Sequence, residues 1–290
     1  MTKSALPPLG AIANVKREEA KGLWSLSVVL QTFAILLGGL LPLLVEPTYL
    51  LVVAIAVLGI LAYALRWRGD SARSKAESLF RKVEELDHLA WKVSEKDIRD
   101  AHAKADLAAA ARLGTATTSY WASKEPPGPL RTVECVEESS WWSEQLARDM
   151  GRYAIIASIV FFLLGVAALF AILGRGSAVQ DKITVAKAIL AVLSVAFTGG
   201  VLRLGVDYLT FASASSTIDT RAERLLLAQE VTLVDAIRLM NDYQFARSKS
   251  PPLPTWLHKI RKPELDRLWE NLHVRATADR ATAEGSSLSK

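Results

Sequence analysis

The sequence predicts an all-α membrane protein with four transmembrane helices in two hairpins, a cytoplasmic helical insert between them and a helical C-terminal tail. Three observations predict it. The apolar residues, 51% of the 290, fall in four long blocks separated by charged stretches. The blocks pair across short polar interruptions. Lys and Arg gather at the ends of each pair that lie away from those interruptions.

Residues 1–23 read as a cytoplasmic N-terminal segment, and Glu18 and Glu19 in that polar leader argue against a signal peptide. Hairpin 1 covers 24–66. Its first span, Trp24 to Val45, has no ionisable side chain. At 1.5 Å per residue it reaches about 33 Å, enough for a hydrocarbon core of about 30 Å. Glu46-Pro47-Thr48 supplies the turn, and Thr48 to Leu65 is the second span, with Trp67 as its interface anchor. Hairpin 2 covers 153–204. Tyr153 to Leu173 is uncharged; Ile183 to Leu204 carries Lys187 and Arg203 near its ends, where each can snorkel to the nearer interface.

Orientation follows from the basic residues. Lys16, Arg17 and Lys21 precede the first span, Arg66, Arg68, Arg73 and Lys75 follow the second, Arg148 and Arg152 precede the third, and Arg203, Arg221 and Arg224 follow the fourth. The first hairpin loop has no Lys or Arg, and the second has Arg175 and Lys182. Both termini and the central segment are therefore expected in the cytoplasm. The net charge of +5 is then anchoring charge, and no DNA or RNA polymer is expected as a partner. Cys135 is the only cysteine, so no internal disulfide forms.

The cytoplasmic insert spans 67–152. Ala72, Ala76, Leu79, Val83, Leu86 and Ala90 alternate in steps of four and three, which places them on one helical stripe, with Arg81, Lys82, Glu84, Glu85 and Asp87 on other faces. Only Gly69 interrupts the continuation from the second span. Ser94 with Asp97 signals the start of a second helix holding Ile98, Ala101 and the run Ala108 to Ala111. Pro126-Pro127-Gly128-Pro129 centres a loop, Val133 to Val136 carries no clear period, and Ser139 or Ser140 caps a helix beginning at Trp141-Trp142. The C-terminal part, 205–275, holds a long helix from Thr217 to Arg247, with Leu226, Leu233, Ile237 and Met240 on one face. Ser250-Pro251-Pro252-Leu253-Pro254 ends it. Pro263 opens a last helix through Leu272, and 276–290 is small, polar and expected to be disordered.

No catalytic motif, phosphate loop or metal spacing is present, so no enzyme, cofactor or metal is expected. His88, His102, His258 and His273 are scattered. Cys135 sits among Glu134, Glu137 and Glu138, which oppose thiolate formation. Two constellations remain. Ser194, Thr198, Gly199, Gly200 and Arg203 give the fourth span a polar character; they line a water path in an oligomer or serve ordinary packing, which the Ala196–Gly200 spacing also suits. Tyr120, Trp121, Arg131, Trp256, His258, Lys259 and Arg261 combine aromatic faces with cations, a set suited to a nucleotide or to plain core and interface packing. Three spans without an ionisable residue argue against a transporter.

From Ile12 to Leu272 the layout resembles the four-transmembrane pore-forming effectors of bacterial anti-phage defence, the S-4TM family. Glu134 to Leu146 (ECVEESSWWSEQL) and Asp242 to Arg261 (DYQFARSKSPPLPTWLHKIR) carry the local likeness. The related SLATT-type effectors share the helical membrane plan. The resemblance implies a homo-oligomeric effector of the bacterial inner membrane. Its cytoplasmic part would sense a cyclic oligonucleotide, and its membrane part would breach the lipid bilayer. The alternative is a non-catalytic membrane adaptor whose cytoplasmic helices scaffold a partner protein.

Overall fold

The computed structural model describes residues 8–44, 49–112, 121–174, 200–228 and 230–287. Among the described residues there are eight helices and no strand. They are α1 (Leu9–Leu44), α2 (Tyr49–Leu89), α3 (Glu95–Ala103), α4 (Leu107–Arg112), α5 (Pro129–Gly174), α6 (Val201–Leu226), α7 (Leu233–Lys249) and α8 (Thr255–Ser287). The chain divides into two compact units, Met1–Pro252 and Leu253–Lys290.

In the first unit, α1 packs along α2 in antiparallel register. Gly10 faces Val83 and Gly69 meets Leu23. The Arg17 guanidinium lies 3.5 Å from the centre of the Phe80 ring, and that of Arg66 lies 4.8 Å from the Trp24 ring. Helices α5 and α6 form a second antiparallel pair. Their crossing is close because it is made at two glycines. A Cβ on Gly205 would lie 2.9 Å from Ile155 Cγ1, and one on Gly151 would lie 2.7 Å from Leu209. Helix α7 seats against both α5 and α6, and Leu89, Val133, Val136, Ile218, Ala222, Leu239 and Met240 bury together there. Each large apolar side chain so buried contributes about 1.5–3 kcal/mol.

Helix α2 runs unbroken through Gly69 for 41 residues, about 60 Å. Its two halves differ in kind. Tyr49, Leu50, Val52, Val53, Val57, Ile60, Leu61 and Tyr63 are all exposed. Beyond Trp67 the helix is charged and packs into the bundle. Among the described residues, one helix, Val52–Leu89, is long and apolar enough to cross a membrane. Helix α5 repeats the contrast, with Ile156, Ile159, Val160, Leu163 and Leu164 exposed and Val133, Cys135 and Val136 buried.

Several boundaries differ from the expected ones. The leader is helical from Leu9, so α1 carries it into the first apolar block without a break. The stripe on α2 is buried at Ala72 and Ala76 but has drifted by Leu86, which is exposed; Glu84, expected on an outer face, is buried instead. Ala90 does not extend the stripe, because its φ of 56° ends the helix there. The amide of Gly128 then donates to the His88 carbonyl at 2.7 Å, satisfying one of the carbonyls left open at the helix end. Ser94 caps α3 by accepting from the Asp97 amide, as its spacing suggests. The alanine run is not part of α3; it belongs to α4, where the Asp106 carboxylate accepts from the Ala109 amide.

Helix α5 begins at Pro129 rather than at Trp141. A proline is well suited to the first helical position, since its missing N–H has no partner there anyway. Ser139 and Ser140 therefore do not cap a helix; their hydroxyls donate back to the Cys135 and Glu137 carbonyls. The expected helix from Thr217 to Arg247 is two helices, separated at residues 227–232 and restarted by Thr232, whose hydroxyl accepts from the Asp235 amide. In the second unit, α8 begins at Thr255, holds Pro263 in its interior and extends to Ser287. Residues 276–287 of the tail expected to be disordered thus continue the helix, consistent with the strong helix preference of Ala276, Ala278, Ala281 and Ala283.

Candidate functional site

A polar seam lies where α7 meets the charged half of α2. Arg247 is its centre. Its Nε donates to Glu77 Oε2 at 2.8 Å, its Nη1 to Glu84 Oε1 at 2.6 Å and its Nη2 to Glu84 Oε2 at 3.3 Å. Gln244 Nε2 donates to Glu84 Oε2 at 2.9 Å. Positions 244 and 247 are one helical turn apart on α7, and 77 and 84 are two turns apart on α2, so both pairs face the same seam.

Burial alone would push the Glu84 carboxyl up, but Arg247, His88 and Gln244 together hold it below the usual carboxylate value. Burial likewise opposes the charge on Arg247, and Glu84 and Glu77 outweigh it. A carboxylate and a guanidinium are thus both kept ionised in a nearly dry seam. We call this set the latch. His88, one turn beyond Glu84, is 2% exposed, and among the described residues neither of its ring nitrogens has a hydrogen-bond partner. Burial lowers its pKa from the ordinary histidine value, against the opposing pull of the Glu84 and Asp87 carboxylates. Trp121 packs edge-on to it, with ring centres 5.2 Å apart. On the other side of α7, the Tyr243 hydroxyl donates to the Ser139 carbonyl at 3.1 Å and lies 2.9 Å from Ser143 Oγ, tying α7 to α5.

A polar cleft of about 610 Å³ opens beside the latch. Helix α2 lines it with Arg66, Asp70, Arg73, Ser74, Glu77, Ser78 and Arg81; α6 adds Asp207, and the end of α7 adds Ser248, Lys249, Ser250 and Pro251. Arg73 joins the cleft to the latch. Its Nη2 donates to the Arg247 carbonyl at 2.6 Å and to Ser250 Oγ at 3.3 Å. The proline segment beneath is held by Tyr208, whose buried hydroxyl donates to the Pro252 carbonyl at 2.8 Å. The lining offers cationic donors, serine hydroxyls and carboxylates.

The residues singled out from sequence are dispersed. Trp121 is half-buried against His88. Arg131 is 8% exposed and clamps the proline loop: its Nε donates to the Asp87 carbonyl, its Nη1 to the Ser123 and Glu125 carbonyls, and its Nη2 to the Asp87 carboxylate. Trp256, His258, Lys259 and Arg261 all lie on α8 of the second unit, where Trp256 is exposed and Arg261 pairs with Glu264. Gly200 immediately precedes α6, and Arg203 is exposed in its first turn. Tyr120, Ser194, Thr198 and Gly199 lie outside the described residues. Asp207, one turn after Arg203 on α6, lines the cleft. Cys135 is fully buried, and burial pushes its thiol well up, further than the neighbouring carboxylates alone would do.

Sequence reasoning missed the latch. The spacing of Glu77, Glu84 and His88 at steps of seven and four was its only local trace, and it looks the same as a solvated helix face. No family model, no curated protein and no solved structure matches the chain.

Proposed function

We propose that the chain is a four-span membrane protein of the bacterial inner membrane. In this reading it is a homo-oligomeric, membrane-disrupting effector, controlled by a ligand bound on its cytoplasmic side. The observation that carries this reading is the divided character of α2. Only 11% of its most apolar stretch is buried, whereas the core helix of a soluble protein would be mostly covered. The exposed run on α5 supports the same reading, because contiguous apolar surface of this extent marks contact with lipid or with another chain.

The coupling is direct. One continuous helix joins the exposed apolar half of α2 to the latch, so a movement of α7 against α2 is transmitted without an intervening hinge. The resemblance to the S-4TM effectors agrees with a ligand-controlled breach of the membrane. One chain offers few spans for a wide pore, which calls for several copies.

Expression in bacteria carrying a potential-sensitive dye tests the reading. Depolarisation on expression, or on addition or withdrawal of the controlling ligand, is expected. The scaffold alternative draws on exposed Leu227, Leu233 and Val234 around the α6–α7 junction, a surface able to receive a partner helix. An adaptor of that kind leaves the membrane potential intact.

A further inference from the structure

The cleft holds more donors than its own protein partners use. Arg73 engages neighbours through Nη2 alone, leaving Nε and Nη1 without a hydrogen-bond partner among the described residues. Arg81, also among the described residues, makes no hydrogen bond or ion pair there. Lys249 rests its ammonium 3.7 Å from the centre of the exposed Phe245 ring, a contact that leaves its donors open. The acids differ in the same way. Asp70 lies 3.6 Å from Arg66 and Glu77 is held by Arg247, whereas Asp207 has no ion-pair partner among the described residues. Three cations with open donors thus share one cleft with one open carboxylate.

We propose that this cleft binds a phosphodiester that also carries an amino group. Arg73, Arg81 and Lys249 take the phosphate oxygens, and Asp207 accepts from the amine. Guanidinium groups suit phosphate because their N–H groups fork onto two oxygens at once. Asp207 disfavours a bare polyanion and selects for the amine, so inorganic phosphate alone is a poor fit. Two sources share this chemistry: a soluble cyclic nucleotide with an aminopurine base, and the headgroup of an ethanolamine phospholipid. The second is open because the cleft begins at Arg66, where the exposed apolar half of α2 ends. A phosphate oxygen taken by Nη1 of Arg73 leaves the Nη2 bond to the Arg247 carbonyl in place, and so links the ligand to the latch. The proposal deepens the effector reading by giving it a ligand site, and its lipid arm rests on that reading.

The full chain in nanodiscs tests it in two arms. In phosphatidylcholine discs, binding of 3′,5′-cyclic AMP is measured by equilibrium dialysis against 3′,5′-cyclic IMP, which lacks the amino group. In the second arm, no nucleotide is added, and the unfolding midpoint is compared between phosphatidylcholine and phosphatidylethanolamine discs. The expected result is saturable binding of cyclic AMP over cyclic IMP, or a higher midpoint with phosphatidylethanolamine; whichever arm responds identifies the source. Arg81→Glu with Lys249→Glu, both exposed and outside the latch, should weaken the effect by about tenfold or more. Asp207→Asn should remove the preference for the amino compound while leaving phosphate binding. No response in either arm overturns the proposal, as does a response unchanged in the double variant. A chain that stays in buffer and does not enter discs refutes the membrane reading instead, and the nucleotide arm then runs in buffer.

Discussion

Replacing Arg247 by Ala should be among the most damaging single changes in the first unit. The side chain is only 15% exposed and bonds two carboxylates. Its removal leaves Glu84, 5% exposed, with Gln244 as its remaining side-chain donor and no cation. Stranding a buried charge in this way costs about 3–5 kcal/mol, more than the net worth of the intact pair. A second change separates the two quantities. Glu84→Gln in the Arg247→Ala background removes the stranded charge, so it should recover a substantial part of the loss. The assay is unfolding of the purified chain in a neutral detergent, with Trp fluorescence as the readout and the four members of the cycle measured together. The sign of the pH effect follows from Glu84. Its folded-state pKa is depressed, so its contribution is present above the unfolded value of about 4.3 and is lost as pH falls through the folded one. A loss below about 1 kcal/mol for Arg247→Ala would refute the reasoning. So would a double variant as unstable as the two single losses added together.

Three further changes probe other parts of the bundle. Asp219 is raised to about 7 by burial, with Glu144 and Glu223 adding to it. The folded state therefore binds the extra proton between about pH 4 and 7, and stability falls as pH rises through that window. Asp219→Asn should flatten that slope and stabilise the protein at pH 8 by about 1–2 kcal/mol, after allowance for its partial exposure, as read from unfolding midpoints across pH. Gly205→Val should destabilise by about 1–3 kcal/mol in a thermal melt, because its Cβ would press on Ile155 and the added methyls have nowhere to go. Tyr243→Phe should cost about 1–2 kcal/mol in the same melt through loss of the hydroxyl between Ser139 and Ser143, with faster amide exchange along α7.

Much of the fold was legible because it is written in local pattern. The uncharged blocks and the Ala72–Ala76 stripe fix helices through spacing alone. The Ser94 cap announces α3 through one side chain and one amide. The division between α6 and α7 was harder. Residues 227–232 contain neither glycine nor proline, and the apolar positions on either side keep helical phase, so only the Thr232–Asp235 spacing marks the restart. The start of α5 was hidden by Pro126-Pro127-Gly128-Pro129, which reads as a loop although its last residue is the first of a helix. The latch and the cleft could not be read at all. Their pairs join positions some 160 to 177 apart, as Glu84 with Gln244 and Arg73 with Ser250, and nothing local distinguishes a carboxylate that will be buried from one that will face water.

The reading as a whole rests on α2 crossing a bilayer with its first half and entering the bundle with its second. Spin labels on cysteines introduced at Val53, Val57, Ile60 and Arg81, with the chain reconstituted in lipid vesicles, test this most directly. Native Cys135 interferes little, since it is buried and its thiol is held in the unreactive protonated form. The expected result is high accessibility to oxygen and low accessibility to a water-soluble nickel chelate at 53, 57 and 60, reversed at 81. Equal access of the nickel chelate to all four positions would contradict it.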